Sequence, residues 1–372
     1  MLYKFSVKNF KGFDKTLVLD FSANNYSFNQ NLIKNGLVNK AILYGKNGIG
    51  KSSLGIALFD ITDHLTDKQK MNAIYLQNYK NLNNINENVK FTYIFKFEND
   101  FVEYYYEKRN RNDLVKEVLK INDKEIINYD YFDNSKQFVD KEIINNLNID
   151  LIDNKLSIIK YIYRNTPTNT IPMITKMLNF CENMLWYRSL SEGNAYSGFT
   201  NGTASLVEKL YESGKIKDFQ QFLKVNGLDY NLKFESVNGN HELFALYDDG
   251  RIKAPFVSLA STGTMALFLF FTWKITAFDK LSFLFIDEFD AFLHYEASEY
   301  LIKLLSETNF QMILTTNNTN LLTNKLTRPD CCYIMTKNKI SNFCNATNRE
   351  IREGHNLEKL FKSGEFSNGE WN

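Results

Sequence analysis

The sequence predicts an α/β fold: a phosphate-loop core of parallel strands and helices, a flanking antiparallel β-meander, and an inserted helical region. Three observations predict it. A glycine-rich run at 45–52 joins an apolar strand to an apolar helix. A second apolar strand, near 281–286, ends on two acids. Between them the chain alternates apolar and polar residues over 88–130 and then shows helical periodicity over much of 135–228.

Taken in order, residues 1–22 alternate and break at Gly12, which predicts two strands joined by a turn; residues 23–40 are polar and Asn-rich, as in a surface loop. Ala41-Ile42-Leu43-Tyr44 reads as a buried strand running into Gly45-Lys46-Asn47-Gly48-Ile49-Gly50-Lys51-Ser52, which fits G-x-x-x-x-G-K-[ST]. The helix from Ser53 to Phe59 leaves it. Glycines let the backbone curl until successive N–H groups point at phosphate oxygens. Lys51 adds a point charge against the β- and γ-phosphates, and Ser52 offers a hydroxyl to Mg²⁺. The N-terminal dipole of the helix that Ser53 opens favours the same anion. A Gly-rich strand-to-helix turn that binds nothing is the alternative, and the match of motif, flanking strand and helix weighs against it. The loop alone indicates a nucleoside triphosphate and does not choose among a transporter engine, a GTPase, a kinase and a DNA-associated ATPase.

Residues 91–97, 102–106 and 115–121 read as a β-meander. Over 135–228, Ile144, Leu147, Leu151, Ile158, Ile159 and Ile162, and later Leu206, Val207, Leu210 and Tyr211, recur at helical spacing around a Gly/Asn/Ser-rich break at 193–202. No heptad is sustained, so this is no long coiled coil, and core packing explains the apolar stripe better than a cofactor role. Strands return at 230–256, with Asp248-Asp249-Gly250 a hairpin turn rather than a metal motif. Strand–helix alternation resumes at 257. The chain divides accordingly into a lobe at 1–134, a helical insertion at 135–228 and a second lobe at 229–372.

Of the 372 residues, 44 are Lys or Arg and 43 Asp or Glu, a net charge of +1 that gives no overall footprint for nucleic acid; a local patch is left open. Cys181, Cys331, Cys332 and Cys344 match neither a zinc site nor a disulfide framework, and read as buried or incidental thiols. The N-terminus alternates like a strand instead of carrying a signal peptide, and the longest mostly apolar run, 265–273, is about half of a membrane span. The expectation is a soluble, cytoplasmic protein without a membrane partner.

Leu281 to Ile286 followed by Asp287-Glu288 reads as a central parallel strand ending in acids, at the sheet edge where ligands bind in open α/β folds. Asp287 would hold the Mg²⁺ shell and Glu288 would polarise the attacking water. Upstream, Ser261-Thr262-Gly263-Thr264 opens an apolar helix. Ser261 suits an N-cap, and Gly263 admits an anion close to the backbone; an ordinary capped helix explains the same residues.

The order of these parts resembles that of ABC-type ATPase heads in the SMC/repair branch, and most closely the OLD-like AAA group of prokaryotic ATPases. The opening run from Phe5 to Phe13, the run from Asp287 to His294, and the tail Arg328-Pro329-Asp330 followed by residues 356–361 and Ser363-Gly364 carry the resemblance, which covers roughly 1–130 and 230–366. It implies an ABC/SMC-type head in which two subunits face head to tail. Lys51 and Ser52 of one would meet Ser261 and Gly263 of the other across ATP and Mg²⁺, with His294 near the seam. A lone histidine is as readily a packed or surface residue. Relatives carry a histidine after the last core strand; here the run is Thr315-Thr316-Asn317-Asn318, and Asn317 stands in its place, able to donate a hydrogen bond but never cationic. That implies slow turnover. Gln77 and Gln137 are weak candidates for the glutamine that couples the γ-phosphate to the insertion.

No Asn-Lys-x-Asp guanine motif follows the core, and about fifty residues after Asn317 are too few for a typical nuclease domain. The resemblance implies an ATPase that controls a separately encoded effector, such as a nuclease, in anti-phage defence, with 135–228 as the partner surface. A DNA-associated repair ATPase is the alternative; a transporter subunit fits the N-terminal segment poorly.

Overall fold

Four parallel strands end side by side, and this is what builds the site. In the computed structural model, which describes residues 1–66, 68–70, 77–142, 147, 153–189, 196–198 and 205–366, the central sheet runs Ile340–Asn342, Cys332–Met335, Lys40–Tyr44, Gln311–Thr316, Phe283–Asp287, Met184–Arg188, Tyr196–Gly198, Gln69–Lys70. The five strands from Cys332–Met335 to Met184–Arg188 are parallel. The outer strands pair antiparallel.

The sheet is apolar on both faces because its residues alternate between two cores. Ala41, Leu43, Trp186, Phe283 and Phe285 enter one; Ile42, Tyr44, Leu185, Tyr187, Leu284 and Ile286 enter the other. The first core is covered by the phosphate-loop helix Lys51–Leu58, the helices Ile158–Asn165 and Pro172–Glu182, and a meander ordered Phe138–Val139, Lys124–Asp130, Leu114–Ile121, Asp100–Lys108, Val89–Phe97, Leu2–Lys8, Leu17–Asp20. The expected meander and the two N-terminal strands are both there. The second core is covered by Leu206–Ser213, Ile216–Val225, Thr262–Thr276 and Tyr295–Ser306. Asp248-Asp249-Gly250 does turn between antiparallel strands, Asn240–Tyr247 and Ile252–Pro255.

Several elements differ from the sequence reading. The stretch 23–40, read as a surface loop, carries the short paired strands Ile33–Lys34 and Leu37–Val38 and buries Leu32, Leu37 and Val38. The stretch 135–228, read as helical, also contains the strands Phe138–Val139 and Tyr196–Gly198 and, between Phe283–Asp287 and the sheet's antiparallel edge, the strand Met184–Arg188. Its first four residues are buried on both faces, so it lacks the alternation that marks a strand. Of the predicted apolar stripe, Ile144 and Leu151 lie outside the described residues, as does most of the break at 193–202.

Long-range polar pins tie the ends together. The buried Gln311 carboxamide accepts from the Leu2 N–H (2.9 Å) and donates to the Leu2 and Val38 carbonyls (2.9 and 3.1 Å). The Arg328-Pro329-Asp330 tail motif is structural here. Arg328 and Asp330 are buried and paired (2.8 Å), Asp330 accepts from the Asn24 N–H (2.7 Å), and Arg328 donates to the Asn24 carbonyl (2.8 Å). Cys181, Cys331 and Cys332 are buried free thiols and Cys344 is half-buried and free. No helix among the described residues is long and apolar enough to cross a membrane.

Candidate nucleotide site

The strand order places the ends of Lys40–Tyr44, Gln311–Thr316, Phe283–Asp287 and Met184–Arg188 in a row, and each delivers a polar group. From the first comes the phosphate loop. Gly48 and Gly50 sit at φ 77° and 112°, a region that favours glycine, and a Cβ on Gly50 would lie 2.8 Å from the Phe13 ring. Lys46, Asn47 and Gly48 are exposed, Ile49, Ser52 and Ser53 half-buried. Gly55 lets the helix approach the sheet: a Cβ there would lie 2.6 Å from Trp186 Nε1 and 2.8 Å from the Phe285 ring.

Lys51 is buried and held inward. Its ammonium donates to the Gly45 carbonyl (2.6 Å) and to Asn317 Oδ1 (2.7 Å). The Asn317 amide donates in turn to Asn47 Oδ1 (2.6 Å). Asn317, singled out from sequence as a substitute for histidine, therefore sits on the phosphate loop and bridges it. Burial lowers the Lys51 pKa, against the raising effect of Asp287 and Glu288.

The acid strand supplies the second half. Asp287 is fully buried; its carboxylate accepts from the Ser52 hydroxyl and from Thr315 Oγ1 (2.8 Å). Burial raises its pKa, opposed by these two hydrogen bonds and by Arg188. Asp287 Oδ2 is buried without a hydrogen-bond partner among the described residues. Glu288 adopts φ 51°, the left-handed region, and its N–H donates to Thr315 Oγ1 (2.8 Å). Thr315 thus bridges both acids.

Arg188 completes the row. Its NH2 lies 2.6 Å from Glu288 Oε2, and its Nε lies 3.2 Å from that oxygen and 3.7 Å from Asp287 Oδ2. Of the two candidate glutamines, the Gln77 backbone carbonyl accepts from the Lys11 ammonium, and the Gln137 amide donates to the Asp130 carbonyl. Sequence reasoning missed Arg188 and Thr315, whose positions follow from strand order rather than from any motif.

Ser261 caps the helix Thr262–Thr276. Its oxygen accepts from the Thr264 N–H (3.2 Å) and lies 2.9 Å from Thr264 Oγ1, and the residue is exposed. Gly263 has a packing reason of its own, since a Cβ there would meet the Phe292 carbonyl oxygen at 2.6 Å. His294 precedes the helix Tyr295–Ser306 without a side-chain cap bond and is exposed. No hydrogen bond among the described residues joins Ser261, Gly263 or His294 to the chain's own phosphate loop.

Residues 40–323 match the family described as "AAA domain, putative AbiEii toxin, Type IV TA system", more than half of the chain. The protein belongs to this AAA-domain family. No curated protein sequence matches it. Among solved structures, the AAA protein is similar to the "SMC head domain from Thermotoga maritima" (13% identity, TM-score 0.40, covering 92% of this chain and 98% of that one). It is similar too to the SmcHead bound to the C-winged helix domain of ScpA (16%, 0.42, 97% and 99%). A third is the recombination mediator protein RecF-ATP (12%, 0.39, 92% and 98%).

The residues of this AAA domain fit the ligands that such ATPases use. Asp287 Oδ2, which accepts no hydrogen bond among the described residues, and the Ser52 hydroxyl are hard oxygen donors at the foot of a phosphate loop, the donor chemistry Mg²⁺ takes. Lys51 supplies the charge for a polyphosphate and Glu288 a carboxylate for water.

Proposed function

We propose that two copies of this chain bind ATP and Mg²⁺ between them, head to tail, and that binding with slow hydrolysis controls a partner effector in prokaryotic anti-phage defence. The observation that carries the nucleotide part is the buried Asp287 carboxylate, set against Ser52 at the foot of the phosphate loop, with one oxygen that accepts no hydrogen bond among the described residues. Gly45 to Ser53 cradle the phosphates and Lys51 neutralises them. Ser52 and Asp287 would hold Mg²⁺, which would supply charge withdrawal from the phosphate oxygens. Glu288 accepts a proton from the attacking water as the bond between Pγ and the ADP oxygen breaks, with the electron pair staying on ADP.

The dimer is supported by the far end of the molecule. Val257, Leu259 and Phe292 are exposed apolar residues around Ser261 and Gly263, the start of a helix whose own chain gives it no ligand. In the proposed assembly Ser261 and Gly263 meet the partner copy's γ-phosphate, and His294 lies near the seam. Asn317, neutral where a cation would stabilise the transition state, supports slow turnover. The family description, which mentions a type IV toxin–antitoxin system, supports a role beyond housekeeping metabolism; the proposed setting is the cytoplasm, beside a separately encoded effector. The described helices of 135–228, with the exposed Val225 beside Phe271 and Tyr300, are the proposed effector surface.

Glu288→Gln tests the assembly. With ATP and Mg²⁺ it should retain nucleotide and dimerise; a variant that binds ATP yet stays monomeric by light scattering would refute the sandwich. Asn317→Ala tests the rate: the wild type should turn over slowly, and vigorous steady-state hydrolysis that this variant leaves unchanged would refute the slow-signal reading. The alternative, a DNA-associated repair-like ATPase, requires steeply salt-dependent DNA affinity, for which the net charge of +1 offers no support.

A further inference from the structure

Arg188 is the one cation, among the described residues, that touches the Glu288 carboxylate, and no motif assigns it a role. It ends the strand Met184–Arg188, beside the acid strand, and its guanidinium contacts Glu288 Oε2 through both NH2 (2.6 Å) and Nε (3.2 Å). Glu288 is held from two sides: Thr315 fixes its N–H, Arg188 its carboxylate. A left-handed φ at a glutamate is uncommon and persists where surrounding contacts over-determine it. The ion pair engages one of the two oxygens of the carboxylate that would take the proton of the attacking water and neutralises part of its charge. Arg188 Nε is also 3.7 Å from Asp287 Oδ2, the oxygen that accepts no hydrogen bond among the described residues. The guanidinium thus stands one carboxylate away from the Ser52–Lys51 end of the phosphate loop.

We propose that Arg188 is a charge switch on the general base: without nucleotide it pairs with Glu288, and the γ-phosphate of bound ATP draws it off. This rests on the nucleotide site above and adds its regulation. A guanidinium is well suited to the exchange, since its planar fork serves carboxylate and phosphate alike and never loses its charge. When Arg188 turns to the γ-phosphate, Glu288 Oε2 is released to water and the phosphate gains a transition-state cation that Asn317 does not supply. ADP lacks the γ-phosphate and leaves the pair closed. Water activation is thereby confined to the triphosphate state, within a single chain and before any partner copy arrives.

The test is nucleotide discrimination, read by calorimetry on the full chain with Mg²⁺ and either ADP or the non-hydrolysable analogue AMP-PNP. Arg188→Gln should weaken AMP-PNP about tenfold or more, the worth of a charge-assisted contact, while ADP stays within about twofold. Arg188→Lys, which keeps the charge but not the fork, should fall between, and covers the case in which the glutamine variant does not fold. The AMP-PNP loss should persist in the Glu288→Gln background. Equal weakening of both nucleotides, no weakening of either, or a loss that vanishes in that background would overturn the switch. Failure of the parent reading is distinct: there the wild type binds neither nucleotide, or Lys51→Ala binds both as well as the wild type does, and the switch falls with it.

Discussion

Asp287 is a fully buried carboxylate whose Oδ2 accepts no hydrogen bond among the described residues and has only the Arg188 guanidinium 3.7 Å away. Such burial costs free energy, and burial raising its pKa is the sign of that cost. Asp287→Asn removes the charge and keeps an oxygen for Thr315. It should stabilise the nucleotide-free chain by about 1 kcal/mol and abolish Mg²⁺-dependent ATP binding. Urea denaturation and calorimetry on the same sample check both halves; a destabilised variant would show that the carboxylate is fully satisfied. At this scale much of the site was legible. Lys51, Ser52, Asp287 and Glu288 belong to runs whose spacing alone carries the chemistry, and Asn317 was found by its place after the last core strand. Arg188 and Thr315 were not legible, because each reaches the acids across a strand pairing that local sequence does not encode.

Elements reach their places through close approaches that particular residues permit. Helix Lys51–Leu58 lies against Trp186 and Phe285 at Gly55, where a Cβ would intrude to 2.6 Å of the indole nitrogen. Gly55→Ala should therefore overpack this contact and cost about 1–3 kcal/mol, despite alanine's better helix propensity. A chemical-denaturation series reads it directly; a stabilised variant would show that the indole yields. The strands read with most ease were those with one wet face, such as Val89–Phe97, whose buried and half-buried residues alternate over its first eight positions. Met184–Arg188 was hidden for the opposite reason. Its run of buried apolar residues has neither period two nor period 3.6, and it sits between segments that are helical.

Across the whole molecule, the meander and the phosphate-loop helix pair are locked by a buried polar cluster. Lys108 pairs with Asp60 (2.5 Å), which also accepts from Tyr79 and Tyr106. Glu117 accepts from Tyr104, Tyr131, Ser157 and the Ile158 N–H. His64 Nε2 bonds to the Tyr104 hydroxyl, 3.7 Å from Glu117, and burial, with Lys108 and Lys160 nearby, lowers its pKa well below 6.5. A histidine held neutral in the fold but free to protonate when unfolded gives stability that is present above pH 6.5 and lost as pH falls through it. His64→Gln should therefore lose less stability than the wild type between pH 7.5 and pH 5.5, in urea titrations of both proteins. Equal acid sensitivity would show that His64 protonates in place. This cluster was invisible in the sequence, since its members lie on segments far apart in the chain, from the helix Asp60–Thr66 to that starting at Ile158.

The Gln311 carboxamide, bonded to both backbone groups of Leu2, closes a loop of 309 residues. The same strand that carries Gln311 brings Thr315 to Asp287 and Glu288, and Asn317 just beyond its end to the phosphate loop. A ribosome that has released the first two hundred residues has exposed the glycine-rich turn without the groups that complete it. Nucleotide competence must then arrive late in synthesis, once the strand at 311–316 has slid between those at 40–44 and 283–287. Until that insertion the emerging polypeptide keeps two apolar sheet edges apart and open, and it is during this interval that a nascent-chain chaperone has most to cover.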